Sequence, residues 1–116
     1  MGAIRSVLIV DDNEDIRDVL RMVFEVDGFK VVGEAANGVE AVAVALEHRP
    51  DFVILDYLMP EQNGEKTAEI LRTLVPETRI VAFSGVISRK PDWADAFLTK
   101  DRVSEILPMV RGLLGA

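Results

Sequence analysis

Residues 51–56 read Asp-Phe-Val-Ile-Leu-Asp, a run of four apolar residues between two carboxylates. Such a short run, apolar at every position, is typical of a β-strand that is buried on both faces of a sheet. Pro50 ends any helix before it, and Asp56 stands where the strand would end. The segment therefore predicts a central strand with an acidic residue at its carboxyl end.

Strands and helices alternate on both sides of this run. That alternation predicts an α/β fold with a doubly wound parallel sheet, and for five strands the order 2-1-3-4-5 is the natural candidate. The second helix carries a close-packing alanine-rich face, and Pro108 predicts a kink or a late start in the last one. The predicted strands are 7–10, 30–35, 51–56, 78–83 and 96–99, and the predicted helices lie between Asn13 (or Asp12) and Gly28, at 39–48, at 65–74 and from 103 to 113.

Size and composition limit the classes of function. The 116 residues, 49% of them hydrophobic, predict one compact domain over residues 1–116. No cysteine and a single histidine exclude disulfides, thiolate catalysis and a His-rich metal site. A net charge of −7 predicts no direct nucleic-acid partner and no membrane partner. The first 13 residues hold no apolar run long enough for a signal peptide, so we expect a cytoplasmic protein.

The carboxyl ends of the predicted strands carry most of the chemistry. Three carboxylates close together repel each other unless a proton or a cation is present, and hard oxygen ligands favour Mg²⁺. A carboxylate can also attack phosphorus, while an ammonium and a hydroxyl neutralise the phosphoryl oxygens. The residues at these ends are Asp11 and Asp12 after the first strand, Asp56 after the third, Ser84 after the fourth and Lys100 after the fifth.

Each of these residues alone has a simpler interpretation. An aspartate after a strand is often only a helix N-cap, and Asp56 before Met59-Pro60 could simply form a turn. Lys100 could be a solvated charge, and Ser84 belongs to a residue type that fills many loops. Their joint occurrence at four strand ends is much less probable by chance. His48, near a helix C-terminus, is interpreted as structural and not as a phosphocarrier.

Four segments, in this order, resemble the response-regulator receiver domain of two-component signalling. They are VLIVDDN at 7–13, DFVILDYLMPEQNG at 51–64, RIVAFSG at 79–85 and AFLTK at 96–100, and together they extend over nearly the whole chain. The resemblance implies a flavodoxin-like five-stranded fold. It implies that Asp56 is the phosphoacceptor and that the chain is a signalling switch and not an enzyme.

The resemblance also implies the other site residues. Mg²⁺ would be held by Asp11, Asp12, the Asp56 side chain and the backbone carbonyl of Leu58. Ser84 and Lys100 would bind the phosphoryl group. Phe97 matches the switch aromatic of the family, whose ring turns inward when the residue at the Ser84 position moves toward the phosphate.

The chain departs from the family between its fourth and fifth strands. Only 15 residues separate Ser84 from Lys100, so the fourth helix is expected to be shortened or missing, with a loop or single turn near Pro91. Trp93 is the large side chain in this segment, and we expect it to pack against the fifth strand or the last helix. Asp101 follows Lys100 where the family often has proline, so no cis peptide bond is expected there.

These observations favour a phosphoacceptor switch in a phosphorelay. Its partners would be a histidine kinase or a histidine phosphotransfer protein, together with an unknown downstream protein, and homodimer formation stays open. The alternative is a receiver-like module that binds or dimerises without phosphorylation. Enzymes of the same architecture fit less well. A haloacid-dehalogenase-type phosphatase needs two strand-one aspartates spaced by one residue, and Asp11 and Asp12 would repel a flavin phosphate.

Overall fold

A computed structural model describes residues 5–59 and 62–114 of the protein. Five parallel strands form one sheet in the order β2-β1-β3-β4-β5, which confirms the predicted doubly wound topology. The predicted strands agree with the observed ones to within one residue at each end. The strands are β1 (Ser6–Val10), β2 (Lys30–Ala35), β3 (Phe52–Leu55), β4 (Arg79–Ser84) and β5 (Ala96–Thr99).

Asparagine side chains begin the first three helices. Asn13, Asn37 and Asn63 each occupy the N-cap position, where the side-chain oxygen accepts a hydrogen bond from a backbone N–H of the first turn. Two of the three belong to the pairs Asn37-Gly38 and Asn63-Gly64, and Asn-Gly is a dipeptide typical of turns. The helices are α1 (Glu14–Val26), α2 (Gly38–His48), α3 (Gly64–Leu74) and α4 (Ile106–Leu113).

The sheet is buried on both faces because side chains alternate along each strand. Phe52 and Ile54 of β3 point into a core that α1 and α4 cover, and Val53 and Leu55 point into a core that α2 and α3 cover. Every side chain of β3 is buried, as the apolar run predicted. Ala41 and Ala45 of α2 are fully buried, so the alanine-rich face does allow close packing.

Residues 85–95 form no helix, which confirms the predicted shortening of the fourth segment. One turn is present, closed by a 3.2 Å hydrogen bond from the Ala94 N–H to the Pro91 carbonyl. The expected contact of Trp93 with the last helix is wrong. Its ring stacks on Tyr57 with centroids 6.3 Å apart, in the core under α2 and α3, whereas α4 covers the opposite face of the sheet.

The last helix begins later than residue 103, which agrees with the late start predicted from Pro108. A 3₁₀ helix spans Lys100–Glu105 and α4 follows it, so that Pro108 is the third residue of α4, where its missing N–H removes no intrahelical bond. Within residues 5–59 and 62–114 no peptide bond is cis. The Met59-Pro60 turn falls partly outside the described residues. No described helix has the length and apolar character that crossing a bilayer requires.

Candidate functional site

The carboxyl ends of β1 and β3 bring two aspartates side by side. The two strands are paired with Val10 opposite Leu55, so Asp11 and Asp56 follow equivalent positions. The Asp56 N–H donates a 3.0 Å hydrogen bond to the Val10 carbonyl. Asp12 joins them, and one carboxylate oxygen from each of the three residues lies within 4.8 Å of the other two. The three carboxylates predicted to meet at this edge are therefore together.

The three carboxylates differ in their exposure to solvent. Asp11 is 1% exposed and Asp56 is 4% exposed, whereas Asp12 lies at the surface. The Asn13 N–H donates to Asp11 Oδ1 at 2.9 Å. Asp11 Oδ2 is ion-paired with the Lys100 ammonium and has no other polar partner within the described part of the chain. The negative charge of this buried oxygen is therefore balanced by Lys100 alone.

Lys100 bridges the two buried aspartates from the end of β5. Its Nζ lies 2.7 Å from Asp11 Oδ2 and 3.3 Å from Asp56 Oδ2. Burial alone lowers the pKa of Lys100, but the two carboxylates outweigh it and raise that pKa above its ordinary value. Lys100 therefore remains a fixed positive charge at neutral pH.

Asp56 binds its proton more tightly than an ordinary aspartate does. Burial in the sheet edge raises its pKa to about 6, and the neighbouring Asp11 charge adds to the effect. Lys100 acts in the opposite direction and lowers the pKa of Asp56. At neutral pH Asp56 is therefore mostly ionised, although its negative charge is disfavoured where it lies.

Ser84 and Phe97 lie on the neighbouring strands, on the side of the sheet that α2 and α3 cover. Ser84 ends β4, is fully buried, and its Oγ accepts a 3.2 Å hydrogen bond from the Val86 N–H. Phe97 of β5 lies opposite Ala82, two residues before Ser84, and packs against the same core. The side chains of Ser84 and Phe97 therefore share one face, since the pleat repeats every two residues.

Leu58 and Gly64 define the loop that follows Asp56. The Leu58 side chain is exposed, while the Gly64 N–H donates a 2.8 Å hydrogen bond to the Tyr57 carbonyl. A Cβ atom added to Gly64 would lie 2.5 Å from the Asp56 carbonyl oxygen, so only glycine allows α3 to begin this close to the site. The Asn63-Gly64 pair thus both caps α3 and fits it against the backbone of Asp56.

Arg17 and Tyr57 touch the site but were not found from the sequence. Arg17 Nη1 donates a 2.6 Å hydrogen bond to the Asp11 carbonyl, and the Tyr57 ring holds Trp93. Only the places of these two residues in the sequence could have indicated that they lie at the site. Arg17 lies one turn into the helix that follows the paired aspartates, and Tyr57 directly follows Asp56.

The donors at this site suit a hard divalent cation. All are oxygens, two of the three carboxylates are buried, and one oxygen of each carboxylate lies within 4.8 Å of the other two. Mg²⁺ prefers carboxylate and carbonyl oxygens and keeps several waters, which the exposed position of Asp12 accommodates. The residues present therefore fit Mg²⁺.

Comparison with known proteins agrees with this geometry. The sequence pattern of the response regulator receiver domain matches residues 7–105. A curated relative, the transcriptional regulatory protein PdtaR of Mycobacterium tuberculosis, is 37% identical over 112 residues, or 91% of this chain. The chain spans 55% of the length of PdtaR, about half of that protein.

Solved structures agree as well. The response regulator domain of Thermotoga maritima CheB is 27% identical with a TM-score of 0.89, and the alignment covers 98% of both chains. A chain from the CheX-CheY-BeF₃-Mg²⁺ complex of Borrelia burgdorferi is 27% identical with a TM-score of 0.84, over 95% of this chain and 89% of that one. The chain therefore belongs to the response regulator receiver domain family of two-component systems.

Proposed function

We propose that this chain is a phosphoacceptor switch in which Asp56 receives a phosphoryl group from a histidine kinase or a histidine phosphotransfer protein. The observation that carries the proposal is the buried Asp56 carboxylate, held between the Asp11 charge and the Lys100 ammonium at 3.3 Å. A cytoplasmic location, and the absence of any activity beyond taking up and losing the phosphoryl group, are part of the same proposal.

Each side chain at the site has its own role in phosphoryl transfer. One Oδ of ionised Asp56 attacks phosphorus, the phosphorus–nitrogen bond of the phosphohistidine breaks, and the nitrogen keeps the bonding electrons. Lys100 neutralises charge on the phosphoryl oxygens, and the Ser84 hydroxyl donates a hydrogen bond to one of them. Mg²⁺, held by Asp11, Asp12, Asp56 and the Leu58 carbonyl, would supply further charge neutralisation.

The direct test is phosphorylation by acetyl phosphate with Mg²⁺, followed by intact-mass measurement. The wild-type chain is expected to gain one phosphoryl group. Asp56→Asn is expected to gain none, because an amide oxygen is a poor nucleophile for this transfer. Asp18→Asn, which changes an exposed aspartate of α1, is the matched control and should label like wild type.

Equal labelling of Asp56→Asn and wild type would place the acceptor elsewhere. No labelling of folded wild type by either acetyl phosphate or a phosphorylated histidine kinase would favour the alternative, a receiver-like module that binds or dimerises without phosphorylation.

The output surface of this switch is proposed to be the segment 85–95 together with α4, in place of the missing helix. Several contacts tie this segment to the rest of the protein. Among them, the Trp93 ring lies on Tyr57, and Arg72 of α3 binds the Asp95 carboxylate at 2.9 Å. Tyr57 adjoins Asp56, so a change at the acceptor reaches the segment through the stacked rings. A downstream protein, or a second copy of the chain, would bind there.

Trp93 is the single tryptophan of the chain, so its fluorescence reports on this segment alone. Phosphorylation is expected to change the emission of the wild-type chain, because a new charge beside Tyr57 alters the stack. Asp56→Asn treated in the same way should show no change. A wild-type spectrum that stays constant while the mass shows full phosphorylation would contradict the proposed path.

A further inference from the structure

Arg17 joins α1, β1 and β2 at the edge of the acidic site. Its Nη1 donates a 2.6 Å hydrogen bond to the Asp11 carbonyl, and its Nε donates a 3.1 Å bond to Glu34 Oε1 on β2. Only 15% of the Arg17 side chain is exposed. Arg21 binds the other oxygen of Glu34, with its Nε 2.6 Å from Oε2, which holds Glu34 in place.

The Asp11 carbonyl belongs to the peptide group that links Asp11 to Asp12. Arg17 therefore fixes the orientation of this peptide, and the Asn13 N–H bound to Asp11 Oδ1 fixes the next turn of the backbone. Within residues 5–59 and 62–114 nothing binds the Asp12 carboxylate, which is exposed. Where the Asp12 carboxylate lies is thus set by the backbone that Arg17 holds.

We infer that Arg17, anchored by Glu34, is a positioning residue for the Mg²⁺ site, acting through the Asp11–Asp12 peptide. This inference rests on the proposed function. Arg17 does not touch the cation. It keeps the exposed Asp12 carboxylate close to Asp11 and Asp56, and so spares the cation the entropic cost of ordering that backbone.

The direction in which the Mg²⁺ affinity changes distinguishes a positioning role of Arg17 from a purely electrostatic one. A guanidinium bound to the Asp11 carbonyl repels a divalent cation held by Asp11 and Asp12, so the loss of the Arg17 charge alone would strengthen Mg²⁺ binding. Loss of positioning weakens it. Lysine keeps the charge but is a point donor that cannot bridge the Asp11 carbonyl and Glu34 as a planar guanidinium does.

The experiment is a Mg²⁺ titration of the full chain by isothermal titration calorimetry, with thermal unfolding of the metal-free proteins alongside. Arg17→Gln and Arg17→Lys are each expected to raise the Kd for Mg²⁺ by about tenfold, the lower end of the effects seen when groups that orient metal ligands are removed. Arg111→Gln is the matched control. It removes a guanidinium that pairs with Asp27 just after the C-terminal end of α1, whereas Asp11 and Asp12 precede that helix, so its Kd should stay within about twofold of wild type.

A tighter or unchanged Kd in Arg17→Gln would overturn the inference, as would a wild-type Kd in Arg17→Lys or an equal loss in Arg111→Gln. Failure of the proposed function looks different, since wild type itself would then bind no Mg²⁺ or gain no phosphoryl group on Asp56. Unfolding midpoints well above the titration temperature for all variants ensure that each Kd belongs to a folded protein.

Discussion

Lys100→Met is expected to lower the free energy of unfolding by about 2–4 kcal/mol at pH 8 without Mg²⁺, because two buried carboxylates lose their counter-charge. The Nζ of Lys100 lies within 3.3 Å of both Asp11 and Asp56, and neither of these aspartates is more than 4% exposed. We expect a smaller loss of unfolding free energy than for a fully buried ion pair because the Lys100 side chain is 24% exposed. Urea unfolding followed by circular dichroism measures it.

Two further variants serve as a control and as a test of recovery for the Lys100→Met measurement. Lys66→Met breaks an exposed ion pair with Glu69 at 3.9 Å and should change stability by less than about 0.5 kcal/mol. In Lys100→Met/Asp56→Asn the second change removes one of the stranded charges, so most of the lost stability should return. Equal effects of Lys100→Met and Lys66→Met, with no recovery in the double variant, would contradict the assigned role of Lys100.

The strands were predictable because a strand that is buried on both faces of a sheet is a short run of apolar residues. Residues 52–55 are apolar at every position, and 2-1-3-4-5 is the natural candidate for five parallel strands joined by crossovers, an order that the sheet keeps although the crossover from β4 to β5 contains no helix. The gathering of Asp11, Asp56 and Lys100 followed from the same reasoning, since the carboxyl ends of parallel strands meet at one edge. Predicting that these three residues meet required no knowledge of side-chain packing.

The contacts around that edge were not predictable in the same way. The Arg17–Glu34 pair joins residues 17 positions apart whose meeting depends on how α1 lies over β2. Trp93 stacks on Tyr57, a contact that the sequence did not predict, because residues 85–95 run along the face of the sheet that α2 and α3 cover and not along the face that α4 covers. Such contacts depend on the path of a loop, and neither periodicity nor residue type records that path.

Asp56→Asn is expected to be more stable than wild type by about 2–3 kcal/mol at pH 7 without Mg²⁺, since a shift of one pKa unit corresponds to about 1.4 kcal/mol. Burial and the Asp11 charge raise the pKa of Asp56 to about 6 from an ordinary value of 3.8. The folded protein therefore holds this proton more tightly than the unfolded chain does. The contribution of Asp56 to stability falls as the pH rises from about 4 to about 6, and its full cost is present above that window.

The difference between the two proteins should accordingly be near zero at pH 4 and largest at pH 7 or above, and unfolding in urea at fixed pH values with EDTA measures it. Mg²⁺ should stabilise wild type more than Asp56→Asn, because the cation binds the folded state and loses a charged ligand in the variant. Asp18→Asn on the exposed side of α1 should follow wild type within about 0.5 kcal/mol at every pH. A constant difference between Asp56→Asn and wild type from pH 4 to pH 8 would show that the ionisation of Asp56 is not what limits the stability of the site.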